Sequence, residues 1–168
     1  MSWCADASVG RAHALKCELA GEVLRSFGSL RFKATGWSML PSVWPGDTLV
    51  IERVSPDQVR VGDLMLVGRD SRLCAHRIVS VAEGCGGPRW ITQGDANTAP
   101  DQPVNENELL GRVAYLVRAG KLIPVPAELS VVDHLIAKIV RRSKTAARAL
   151  VYLHRVVETP KESLSCQG

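Results

Sequence analysis

Between residue 31 and about residue 126 the chain never runs far without a Gly, Pro or Asp to turn it. Short apolar runs alternate with those breakers: "RFKAT", "TLVIERV", "LMLVGR", "HRIVSVA", "RWIT", "GRVAYLVR" and "KLIPV". That texture predicts many short strands joined by turns. Three of the turns share a Gly-Asp dipeptide, Gly46-Asp47, Gly62-Asp63 and Gly94-Asp95. Gly supplies backbone freedom there, and Asp can bond its own backbone nearby. For the first two, hairpin chemistry is explanation enough.

The flanks read differently. Residues 9–27 predict a helix, with Leu15, Leu19, Val23 and Phe27 on one stripe and most charges elsewhere. Residues 130–158 predict one long helix. Ser130 is its N-cap, Asp133 follows three residues on, and Thr159-Pro160 ends it. The expected organisation is therefore an N-terminal helical segment over 1–30, a β domain over 31–126, and a basic amphipathic helix and tail over 127–168.

At 168 residues and 46% hydrophobic the chain can build a core as about one domain. The net charge of +4 is unevenly placed. Residues 1–129 carry 14 basic and 14 acidic side chains, and residues 130–168 carry seven and three. A neutral body is not a nucleic-acid-binding face, so no nucleic-acid partner is expected. Five cysteines, with no CxxC pair, argue against a disulfide framework and for a reducing, cytoplasmic setting. Cys74 and His76 stand two apart without a second pair at zinc spacing, so no metal and no other cofactor is expected. The N-terminus has no apolar stretch of a secretory leader. No run reaches the roughly 18 apolar residues of a membrane span.

Three segments carry chemistry in order. "GWSMLPSVWPGD" places Ser38 in a Gly/Pro-rich turn, where a nucleophile's hydroxyl can be exposed next to backbone donors. Gly36, Trp37, Met39 and Pro41 around it are the candidate substrate-binding positions. "CAHRIVSV" offers His76 at the start of a strand, and His is the base poised near neutral pH. His13, His134 and His154 fall in the expected helices instead. "ITQGDANTAPD" offers two carboxylates, Asp95 and Asp101, either of which could orient the imidazole.

Taken together, "GWSMLPSVWPGD", "GDLMLVGR", "AHRIVSV", "TQGDANTAPD" and "GRVAYLV" resemble the successive boxes of the type I signal peptidases, over residues 31–118. The nearer likeness is to the archaeal and endoplasmic-reticulum type, in which histidine replaces the bacterial lysine base. The resemblance implies a mainly β fold, a coiled, mostly antiparallel sheet shared with LexA-like self-cleaving repressors. Here it would be flanked by the N-terminal helix and the long C-terminal helix. It implies Ser38 as nucleophile, His76 as general base, and Asp101 as the first choice of acid, with Asp95 supporting or alternative. The backbone amide of Ser38 is the first choice of oxyanion donor. A peptide or precursor protein would bind as an added strand and be cut after small residues at the first and third positions before the bond.

The chain departs from that pattern in two ways. Signal peptidases carry a serine where this sequence has Gly36, so an oxyanion donor from that hydroxyl would be absent unless Thr35 stands in, and Trp37 replaces a Gly. "GWSM" is nearer the LexA-like spelling, although those peptidases use lysine where this chain has His76. Nor is a membrane anchor expected from these residues. The basic helix over 130–158 offers peripheral contact with an anionic membrane surface, or packs its apolar stripe on the β body. The competing function is a LexA-like self-cleaving or partner-binding regulator, for which Ala20-Gly21 is the bond to consider. An inactive scaffold is a third.

Overall fold

The computed structural model describes residues 3–84, 87–142, 145 and 148–153. Seven strands form one antiparallel sheet: β1 Ser29–Lys33, β2 Thr48–Glu52, β3 Leu64–Arg69, β4 Arg72–Gly84, β5 Gly87–Gln93, β6 Leu109–Arg118 and β7 Lys121–Pro124. Each expected apolar run supplies one of them. The spatial order is β1-β2-β6-β3-β4-β5, with β7 also on β6. Helices α1 Trp3–Phe27 and α2 Val131–Arg142 flank the sheet, and residues 148–153 are helical as well.

Strand β3 shows why the sheet is buried on both faces at its centre. Leu64 and Leu66 point into one core with Leu49, Ile51, Val113 and Leu116. Met65 and Val67 point into another with Ile78, Trp90 and Val104. Alternation along a strand sends neighbours to opposite faces, so a continuous apolar "LMLV" fits only a strand covered on both sides. Each such side chain contributes roughly 1.5–3 kcal/mol by leaving water. Two residues with positive φ, Asp70 and Ser71, turn β3 into β4, so β4 begins at Arg72 and His76 lies inside the strand rather than opening it.

Helix α1 exists where expected and starts earlier, but its stripe is reversed. Leu15, Leu19 and Phe27 are exposed, while Ala20, Gly21 and Leu24 are buried. The helix approaches β6 on its small residues: a Cβ on Gly21 would already lie 3.7 Å from Leu110. Small side chains let the backbone come close, and large ones on that face would hold it away.

The single helix expected over 130–158 is not shown as such. Helix α2 ends at Arg142, and residues 154–158 lie outside the described residues. Ser130 does bond Asp133, donating from Oγ at 2.7 Å and accepting from the Asp133 N–H at 3.2 Å. Helix α2 docks on the body through Ala137 and Val140, and Val140 meets Leu40 and Trp44 together with Val151. Its opposite face leaves Val131, Val132, Leu135 and Ile139 exposed. Among the described residues no helix is long and apolar enough to cross a membrane.

Candidate active site

Ser38 sits in the loop that joins β1 to β2, and several bonds fix that loop at its base. Ala34 N–H donates to the Asp47 carbonyl and Gly46 N–H to the Ala34 carbonyl, both at 2.8 Å. The Asp47 carboxylate, nearly fully buried, accepts from Trp44 N–H at 2.8 Å and from Arg118 at 2.9 and 2.7 Å. Gly46 takes φ +110°, a region that L side chains rarely adopt. "PGD" therefore closes a long loop here instead of making a tight hairpin turn.

His76 comes from β4 and reaches Ser38 in the loop between β1 and β2. Its Nε2 lies 3.0 Å from Ser38 Oγ, and its Nδ1 lies 2.5 Å from Asp101 Oδ2. An ionised carboxylate only accepts, so Nδ1 carries the proton and Nε2 is left to accept from the Ser38 hydroxyl. Asp101 Oδ2 also accepts from Thr92 Oγ1 at 2.7 Å. The Asp101 N–H donates to the Thr92 carbonyl at 2.8 Å, which ties the acid's loop to the end of β5. The His76 side chain is 9% exposed and the Asp101 side chain 32%. Water can thus reach the carboxylate more easily than the imidazole.

Asp95 takes no part in that chain. Its carboxylate is buried and held by Arg77, with Nε to Oδ1 and one terminal nitrogen to Oδ2, each at 2.9 Å. Ser42 Oγ donates to the same carboxylate at 2.5 Å. Arg77 follows His76 in β4, so alternation sends it to the opposite face. There it also donates to the carbonyls of Gly62 and Pro126 at 2.9 and 2.6 Å. Arg141 of α2 donates to the Asp95 carbonyl at 2.7 Å. The knot ties together the Ser38 loop, the His76 strand and the C-terminal segment. Sequence reasoning passed over Arg77, Ser42 and Thr92. An arginine in an apolar strand was the available signal, because a buried guanidinium requires a carboxylate partner.

The loop after β5 braces Ser38 from behind. Ala96 N–H donates to the Ser38 carbonyl at 2.8 Å, and a Cβ on Gly94 would fall 2.6 Å from that oxygen. Gly94→Ala must therefore displace the backbone that carries the hydroxyl. Acylation of Ser38 should slow by about 10², since a misplacement near 1 Å is enough for that. Stopped labelling at timed intervals checks the rate, and thermal unfolding checks that the fold survives.

Among the described residues the Ser38 N–H has no acceptor, which leaves it available to an oxyanion. Beside the hydroxyl opens an apolar cavity of ≈ 160 Å³, walled by Gly36, Met39, Val43, Leu49, Leu73 and Ala75 among others. Gly36 and Met39 line the cavity. Pro41 is buried and Trp37 exposed, and neither of them lines it. Cys74 also lines it, but burial, with the negative charge of Asp101 adding, pushes its thiol up to about 11. It stays protonated at neutral pH, which leaves it a weak nucleophile. Ala20-Gly21, the bond considered for self-cleavage, lies buried within α1.

The arrangement, a hydroxyl, an imidazole and a carboxylate in series beside an apolar cavity and a free backbone N–H, can perform nucleophilic acyl transfer. No protein-family model and no curated protein matches the chain.

Proposed function

We propose that the chain is a serine endopeptidase of the type I signal peptidase kind, cutting an extended precursor or signal peptide after a small residue. The observation that carries this is the continuous pair of contacts Ser38 Oγ to His76 Nε2 to Asp101. His76 removes the hydroxyl proton as Ser38 Oγ attacks the scissile carbonyl carbon. The oxyanion forms against the Ser38 N–H. His76 then gives its proton to the leaving amine, the C–N bond breaks, and an acyl-serine remains. Water, deprotonated by the same imidazole, releases the acid and restores Ser38.

The substrate's path follows from the sheet. β1 is the outer strand on its side, and residues 72–76 of β4 lie before the stretch that β5 covers. Both edges flank the cavity at Ser38, so an extended peptide can add itself as a strand between them. The cavity's size suits a small side chain at the cut. The free thiols of Cys17 and Cys74 fit work in the cytoplasm. Any contact with an anionic membrane falls to the outward arc of α2, Val131, Val132, Leu135 and Ile139, with Lys138 and Arg142 beside it.

The test is a serine-reactive acylating probe, read by intact mass. Wild type should take one adduct, mapped to Ser38 by peptide digestion, and Ser38→Ala should take none. A folded wild type that stays unlabelled from neutral to alkaline pH would sink the peptidase reading.

A further inference from the structure

A second cavity, of ≈ 460 Å³, adjoins the one at Ser38 and shares Phe32, Thr35 and Leu73 with it. Its walls recede along β1 and β4, away from the hydroxyl, to Lys33 on one side and to Ser71 and Arg72 on the other. Lys16 reaches it from α1. Three cations therefore line this cavity and no acidic side chain does. All three residues are exposed, and among the described residues none of them forms an ion pair.

In an extended peptide, side chains two residues apart point to the same face, about 7 Å from each other. A peptide whose residue at the cut fills the cavity at Ser38 will thus direct the side chain two positions earlier into the cationic one. We propose that this chain selects substrates with an acidic residue, Asp or Glu, at the third position before the cut. The inference rests on the peptidase reading above and departs from the small third residue that the family resemblance implies: Lys16, Lys33 and Arg72 set specificity at that position, and a carboxylate answers them. Small residues would enter the cationic cavity without gaining from the charges. A lysine there would meet three like charges.

The experiment measures protection of Ser38 from the acylating probe by acetylated tripeptide aldehydes Xaa-Ala-Ala, with Xaa Glu, Ala or Lys. Glu should protect at about tenfold lower concentration than Ala, and Lys should be the weakest, as expected of a few solvent-exposed charge pairs acting together. Moving the glutamate one residue toward the cut should remove its advantage, because the side chain then points to the other face. The double variant Lys33→Glu with Arg72→Glu should invert the order of Glu and Lys. On wild type, raising salt from about 0.05 to about 0.5 M should shrink the preference for Glu, since exposed charges are screened. That titration decides the point even if the double variant fails to fold. Equal protection by the three aldehydes, with wild type still labelled at Ser38, overturns the acidic preference alone. No labelling of wild type at all removes the peptidase reading and this inference with it.

Discussion

Asp101→Asn should slow acylation of Ser38 by about 10³–10⁴ while leaving the melting temperature within about 3 °C of wild type. The carboxylate meets both His76 Nδ1 and Thr92 Oγ1 through one oxygen. An asparagine can turn either way. With its nitrogen toward the ring, Nδ1 must become the acceptor, Nε2 carries the proton, and the imidazole can no longer accept from Ser38. With its oxygen toward the ring the tautomer survives, but the negative charge that stabilises imidazolium is gone. Either orientation removes what the base needs. Stability changes little because the side chain is about one-third exposed, so water and Thr92 still satisfy the amide. Probe-labelling rates and a thermal melt measure both quantities. A rate within roughly tenfold of wild type would remove Asp101 from the catalytic chain.

Arg77→Met should do the reverse, destabilising the fold by about 3–5 kcal/mol, the range for removing one partner of a buried pair. Without the guanidinium, the Asp95 carboxylate keeps only the Ser42 hydroxyl among its side-chain partners, in a site almost closed to water. The carbonyls of Gly62 and Pro126 lose donors as well. Lysine would not rescue the site, because one ammonium cannot bond two carboxylate oxygens side by side while also reaching the carbonyls on its other side. The double variant Arg77→Met with Asp95→Leu should recover much of the loss, since a well-packed apolar pair in place of a buried ion pair is often near neutral. Urea unfolding of the two single variants and the double gives the coupling directly. A loss below about 1 kcal/mol for Arg77→Met would mean that water already reaches the pair. The two aspartates of one loop should thus separate in these measurements, Asp101 moving the rate and Asp95 with Arg77 the stability.

Much of this architecture could be read before any coordinates. Strand positions were legible because turn residues punctuate them and because β3 is apolar without interruption. The buried face of α1 was not. Sequence patterning follows large apolar side chains, and this helix packs on Ala20 and Gly21 while presenting Leu15 and Leu19 to solvent. The pairing of Ser38 with His76 came from their order among recognisable boxes, and the structure brings the two within hydrogen-bonding distance. Spacing could not choose between Asp95 and Asp101, because both lie in the same loop after β5. The choice depends on Arg77, whose claim on Asp95 is visible only once β4 has a face.

The strand order also bears on when the contacts among Ser38, His76 and Asp101 can form during the chain's own synthesis. Ser38 follows β1 at one end of the sheet path, and His76 lies on β4, four places along it. Asp101 and Ala96 come later still, after β5. A nascent or half-folded chain can therefore hold the serine without its base, or the base without its acid. Contacts so far apart in sequence form late and together, because loop closure must come before them. Such a hydroxyl remains an ordinary alcohol until β4 and the loop after β5 have brought His76 and Asp101 to it.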